Sequence, residues 1–186
     1  MPPKVKITKE DIISAAVKIV REQGAQAINA RTIAASLNCS TQPIFSNFSS
    51  IEELKLSVVD RADALCQAYI SSEISGNTYP PYKASGMAYI RFAKEEKELF
   101  KLLYMRNRSN EDNSKELELN KQMDEIVQKN TGLDGTEKKL FHLEMWAYVH
   151  GIAVMFATDF LDLSWDLVSK MLTDAYQGLR KQYTME

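Results

Sequence analysis

The chain has 186 residues, 45% of them hydrophobic, with only 7 glycines and 5 prolines. It is long enough to bury a core and too apolar for a disordered segment. A formal net charge of −2 excludes a uniformly basic nucleic-acid coat, although the charge is unevenly spread.

Residues 1–7 form a short basic arm. Thr8 opens the first helix, and Thr8-x-x-Asp11 is a capping box with the shorter acid. Ile12, Ile13, Ala16, Val17, Ile19 and Val20 share one broad face, and Gly24 supplies the C-terminal glycine. Ile28 packs inward, and Asn29 caps a short second helix, 31–37, with Ile33, Ala34 and Leu37 inward. Asn38 suits a left-handed helix terminus, and Cys39 reads as a small buried hydrophobe in the turn. Ser40 or Thr41 caps a third helix, with Pro43 in its first turn, where the missing N–H costs little. Ile44, Phe45 and Phe48 are its apolar residues. Ser49 or Ser50 caps a long fourth helix reaching about residue 72, with Glu52 and Glu53 in its first turn. Residues 30–48, ARTIAASLNCSTQPIFSNF, thus form two short helices about a tight turn, the pattern of a helix-turn-helix DNA reader.

Residues 75–81, SGNTYPP, are the clearest break in the chain. Two helical segments follow, from Tyr82 and from Glu95, then a polar loop at 107–113. A helix from about Ser114 to Asn130, a turn at 132–135, a long helix over 136–159 and a last one over 163–183 complete nine. Ala, Leu, Lys, Glu, Gln and Met recur while β-branched runs are scarce, so the expected fold class is all-α, four helices in a head and five in a body. The boundary is expected between residues 54 and 55, with the fourth helix as connector.

Residues 1–48 hold six Lys/Arg against three Asp/Glu, a balance of +3, and the remaining 17 basic and 22 acidic residues leave 49–186 at −5. A basic head fits a local nucleic-acid contact; it also fits ordinary scatter. Cys39 and Cys66 stand alone without a CxxC, which points to a reducing cytoplasm rather than a disulfide framework. No signal peptide is expected, and the longest apolar run, 145–157, is too short for a bilayer span and reads as a buried helix.

These segments resemble the TetR family of bacterial transcriptional regulators. The resemblance lies in the helix ending EQGAQAI, then RTIAASLNCS, TQPIFSNF and SSIEEL, in the family's order over residues 7–56. In the body, Trp146-x-x-x-His150-Gly151 within MWAYVHGIAVMFATD, and AYIRFAKEEKELFKLLY at 88–104, resemble the family's Trp-His-Gly branch. The resemblance implies an Ω-shaped homodimer on double-stranded DNA. It places the third helix of each head in a major groove and pairs the last two helices of each body in an intersubunit four-helix bundle. The body, 55–186, would then be a regulatory and dimerisation domain whose pocket takes a ligand that releases the operator.

At the DNA face, Gln42 can hydrogen-bond a base edge or phosphate, and Thr41 and Ser46 can reach either. Ser40 and the free N–H groups of the helix suit a phosphate oxygen, and Asn47 can donate to phosphate. Arg31, Thr32, Pro43 and Lys55 complete the candidate set. Phe45 stands where the family usually has a phosphate-contacting tyrosine, so it is expected against sugar or a base methyl. Ile51 replaces a lysine that normally meets the backbone, and Lys55, Arg31 and the arm at Lys4 and Lys6 are the available compensation. Loss of one phosphate contact flattens the salt slope by about one unit.

In the body, His142 and His150 are eight residues apart, roughly 12 Å along a helix axis, too far to share a metal. No nucleophile–base motif or glycine-rich phosphate loop is visible, so neither catalysis nor a cofactor is expected. His150 reads as a core histidine one turn beyond Trp146, and Gly151 as a point of close helix crossing. Tyr89, Phe92, Met105, Met123, Trp146 and His150 are candidates for an adaptable pocket for an apolar or weakly polar effector, or for core filling. On the last helix Trp165, Val168, Met171, Leu172 and Tyr176 form a stripe that covers its own core, a partner, or both. Two function classes stay open. One is a ligand-responsive regulator, most often a repressor; the other is a helical interaction protein whose head has lost its operator, as Phe45 and Ile51 would suggest.

Overall fold

The computed structural model describes residues 7–107 and 121–184. Among these, every regular element is helical. The arm with Lys4 and Lys6, the loop at 108–113 and the first part of the expected helix from Ser114, with Leu117 and Leu119, lie outside the described residues.

The helices are α1 (Lys9–Gln23), α2 (Ala30–Ser36), α3 (Gln42–Asn47), α4 (Ile51–Ser75), α5 (Pro81–Glu95), α6 (Lys97–Tyr104), α7 (Lys121–Thr131), α8 (Gly135–Ala157) and α9 (Trp165–Thr184). A 3-10 turn, Ala25–Ala27, follows α1. Local chemistry sets most of the ends. The Thr8 hydroxyl accepts from the Asp11 N–H at 3.1 Å while the Asp11 carboxylate accepts from the Thr8 N–H at 2.9 Å, a complete capping box. Gly24 ends α1 at φ +81°, which L side chains adopt only at a cost. Asn29 accepts from the N–H groups of Arg31 and Thr32, and Asn38 takes φ +51° after α2. At α4 the Ser50 hydroxyl accepts from the Glu53 N–H, and the Glu53 carboxylate accepts from Ser49. One cap differs from expectation. Thr41 precedes α3 with helical backbone angles and no side-chain capping bond, so Pro43 and the Ile44 and Phe48 anchors define that start instead.

Packing divides the chain into two compact units. The first holds the described residues up to Cys66 together with 96–106. Its core takes Ile12, Ala16 and Val20 from α1, Ile33 from α2, and Ile44 and Phe48 about α3. Leu54, Val58, Ala62 and Cys66, each four residues on along α4, complete one buried stripe. α6 packs along α1 through Leu99, Phe100, Leu102 and Leu103, and Arg21 grips the Glu96 carboxylate with two bonds, at 2.8 and 2.6 Å. The unit therefore extends past residue 54 and recruits a segment expected in the body, because α6 is too short to stand without an apolar partner.

The second unit holds 67–95 with the described residues from 107 onward. α5 lies against α7, α8 and α9 and is buried on most of its circumference. Small residues allow this close approach. A Cβ on Gly86 would sit 3.4 Å from side-chain atoms of both Val149 and Leu172, so the tight crossing falls at Gly86. Gly151, expected in that role, faces open space within its own chain. A second cluster joins Tyr82, Val127, Phe141 and Met145, with Met123, Tyr176, Leu179 and Tyr183 packed on it. The buried Lys138 ammonium pairs with Asp124 at 2.8 Å and fastens α8 to α7. α8 is long and apolar enough, by length and composition, to cross a membrane, because the run at 145–157 is only its second half. Here it packs against α5, α7 and α9.

Candidate functional site

In α3, Ile44 and Phe48 are buried one turn apart, and that pair orients the helix. Gln42 and Ser46 are left on the opposite side, with Phe45 flanking them. Ala34 and Ile33 of α2 close the motif from behind. Between the helices the Cys39 N–H donates to the Ala34 carbonyl at 2.9 Å, which holds the turn. Cys39 itself is half-buried rather than a core residue.

The hydrogen bonds redistribute the expected roles. The Thr32 hydroxyl donates to the Ala27 carbonyl at 2.7 Å and accepts from the Asn29 N–H, so Thr32 completes the α2 cap and does not point at a ligand. The Ser46 hydroxyl donates to the Gln42 carbonyl, and the Asn47 amide to the Pro43 carbonyl at 2.7 Å. Such back-bonding ties one donor of each side chain to the preceding turn of α3. Ser40, Gln42 and Phe45 are exposed; Thr41 and Pro43 are half-buried.

Several cations of this unit are already paired. Lys9 reaches Glu53 at 3.2 Å and lies 4.6 Å from the Phe48 ring centre, and Arg61 reaches Glu10 at 2.7 Å. The Ser49 hydroxyl and N–H, then Lys9, hold the Glu53 carboxyl down at about 2. Arg31 and Lys55 are exposed and have no acidic partner among the described residues. Ile51 is half-buried at the start of α4.

In the second unit the expected pocket residues do not converge on one point. Tyr89, His150 and Trp146 do form a connected row. The Tyr89 hydroxyl and His150 Nδ1 are 2.9 Å apart, and the His150 and Trp146 rings stack at 4.9 Å. Phe92 is fully buried and meets Tyr69 edge-on, whereas Met123 belongs with the Phe141 cluster. Met105 is exposed and belongs to the first unit.

A matching pair went unnoticed in the sequence: the Tyr82 hydroxyl lies 3.0 Å from His142 Nδ1. The two tyrosines are seven residues apart on α5 and the two histidines eight apart on α8, so parallel helices bring both pairs into register. That spacing was the available signal. Burial lowers the pKa of both histidines, so the fold favours their neutral forms. The unfolded chain then binds more protons below about pH 6.5, and stability falls as the pH drops from there towards the depressed folded values. Urea unfolding between pH 7 and 5 is expected to show this fall, and a His142→Asn/His150→Asn variant to flatten it. An unchanged slope would remove these histidines as its cause.

Part of the α9 stripe packs on its own core. Val168 and Leu172 are buried, Tyr176 packs on Phe141, and Trp165 stacks on Phe156 at 5.7 Å. Met171 is half-buried. Apolar side chains left outward in this unit are Leu140, Leu143, Trp146 and Tyr148 of α8, Phe160 and Leu161 after it, and Leu167 of α9. Leu140, Leu143, Ala147 and Gly151 follow one another at spacings of three and four, a single exposed face on one of the two helices that the resemblance assigns to the intersubunit bundle, its Leu140, Leu143 and Ala147 not singled out in the sequence.

An all-α chain with a buttressed α2–turn–α3 reader and a separate helical unit defines the class of helix-turn-helix transcriptional regulators. Residues 82–175 match the model of the tetracyclin repressor-like C-terminal domain. The chain belongs to the tetracycline-repressor-like (TetR) family of transcriptional regulators. Its fold resembles that of a TetR-like transcriptional regulator from Rhodococcus sp. RHA1, with a TM-score of 0.65 and 13% identity over 98% of this chain and 97% of that one. It also resembles MexZ, described as a key repressor responsible for antibiotic resistance in Pseudomonas aeruginosa, with a TM-score of 0.62 and 18% identity over 92% and 94%. No match was found among curated proteins.

Proposed function

We propose that the protein is a cytoplasmic repressor that binds a near-palindromic operator as a homodimer and is released by an apolar or weakly polar small molecule held in its second unit. The observation that carries the DNA reading is the α3 surface. Ile44 and Phe48 anchor it from within, Ser40, Gln42 and Phe45 are exposed, and the exposed cations Arg31 and Lys55 of the same unit have no acidic partner among the described residues. A +3 head binds weakly alone, and two heads about 34–36 Å apart on successive turns supply the rest. The exposed α8 face at Leu140, Leu143, Ala147 and Gly151 is the surface best suited to pair the two copies.

A gel shift against DNA flanking its own gene, at two salt concentrations, tests this reading. Selective, salt-sensitive binding is expected. Arg31→Ala should weaken binding to all sequences alike and lower the salt slope by about one, whereas Gln42→Ala should relax preference at one base position by about 5- to 150-fold. The second reading, a helical interaction protein with a degenerate head, draws on the back-bonded donors of Ser46 and Asn47 and on Phe45 and Ile51. Absence of binding at low salt would favour it.

A further inference from the structure

We infer that Phe45 is a specificity residue that reads the C5-methyl group of a thymine in each half-site. The inference rests on the DNA-reading function proposed above and concerns what that surface recognises.

Phe45 is 55% exposed on a helix whose inward side is already filled by Ile44 and Phe48. Its ring is therefore not a core anchor for α3. It neighbours Gln42, three residues earlier on the same helix, so whatever Gln42 meets lies within reach of the ring. A phosphate partner is excluded by chemistry: the ring has no donor, and its face carries negative π density that disfavours an oxyanion. Hydrogen-bonded base readout is excluded for the same reason. With the Ser46 and Asn47 donors turned back onto α3, the outward surface around Gln42 is poorer in donors than its sequence suggests. What remains for Phe45 is apolar contact with a deoxyribose or a base methyl; its neighbour Gln42 is a base-reading side chain, which favours the base edge, and in the major groove the thymine methyl is the apolar group a base edge presents. Gln42 pairs most naturally with adenine through its N6 and N7 atoms. Together the two side chains specify a half-site with an A·T pair at the glutamine and a thymine within one or two base steps of it.

Replacing thymine by uracil removes only the methyl group and keeps the hydrogen-bonding edges. A DNA site is first enriched from a random pool with the full-length protein. Each thymine of its half-sites is then exchanged for uracil, and affinities are measured at one salt concentration. One thymine per half-site is expected to matter, with binding weakened about four-fold for one half-site and about fifteen-fold for both, the effect of one buried methyl each. Phe45→Ala should bind the thymine site more weakly and lose the thymine–uracil difference. Phe45→Leu, which stays apolar, should keep part of it. Thermal unfolding of both variants confirms that they are folded. A wild-type protein indifferent to uracil at every thymine, or a Phe45→Ala protein that still discriminates, overturns the inference while leaving the regulator reading intact. Failure to enrich any site overturns both.

Discussion

Exchanging Ala147 for glutamate is expected to give a folded protein that is monomeric at 10 μM, on the order of the concentrations used for sizing, and that has lost most of its operator affinity. Ala147 lies on the exposed face of α8, between Leu143 and Gly151, and Gly151 has no neighbour within 4 Å of where a Cβ would sit. In one chain the new carboxylate is solvated, and such surface changes stay within about 0.5 kcal/mol. In a two-fold pairing through this face the same residue recurs on the partner, so two like charges enter a desolvated contact. Losing the second head removes its effective concentration on the DNA, a loss of about 100- to 10,000-fold. Light scattering, thermal unfolding and a gel shift on one preparation separate these effects. A variant that stays dimeric would move the pairing surface away from α8.

Phe141→Ala is expected to cost about 3–5 kcal/mol of unfolding free energy. The ring is fully buried and meets Tyr176 and Tyr183 edge-on, each with centroids 5.6 Å apart, as well as Tyr82. These partners are fixed in turn: Tyr176 donates to the Asn130 carbonyl at 2.8 Å and Tyr183 to Glu144 at 2.8 Å. The cluster therefore cannot collapse into the space left, and the cavity term stays large. Phe160→Ala is the control, because that ring is 73% exposed and its removal should change stability by less than about 0.5 kcal/mol. A cost below about 1 kcal/mol at Phe141 would mean that the cluster is loose enough to admit an effector.

Where a cap and its partner fall within one turn, the sequence was mostly a sufficient guide, Thr41 being the exception. Thr8 with Asp11, Asn29 with the N–H groups of Arg31 and Thr32, and Gly24 and Asn38 at positive φ are each legible because cap and partner lie within four residues. The bonds of Ser46 and Asn47 to the preceding turn are equally local, yet both residues were expected at the DNA, because a hydroxyl or amide can serve either partner and the sequence does not choose between them. The reader itself was legible for the same reason, since a helix-turn-helix is built from consecutive residues.

Other features depend on which helices meet, and periodicity does not say. α8 is apolar around its whole circumference, so its sequence cannot tell the face that holds Phe141, Met145 and Val149 inward from the face that leaves Leu140, Leu143 and Ala147 outward. The α9 stripe has one apolar face, and only the packed unit shows that α5 and α8 consume part of it through Val168 and Leu172. Likewise the histidines of α8 gained their tyrosine partners 60 and 61 residues away, and α6 joined α1 across an intervening run of the chain. The sequence alone determined the order of the described helices, most of their caps and the exposure of Gln42 and Phe45 on α3, because backbone hydrogen bonding and side-chain period act within a turn or two. The tertiary structure decided which apolar surfaces are satisfied within one chain and which are left over for a partner, because burial is a property of neighbouring surfaces and not of any single segment.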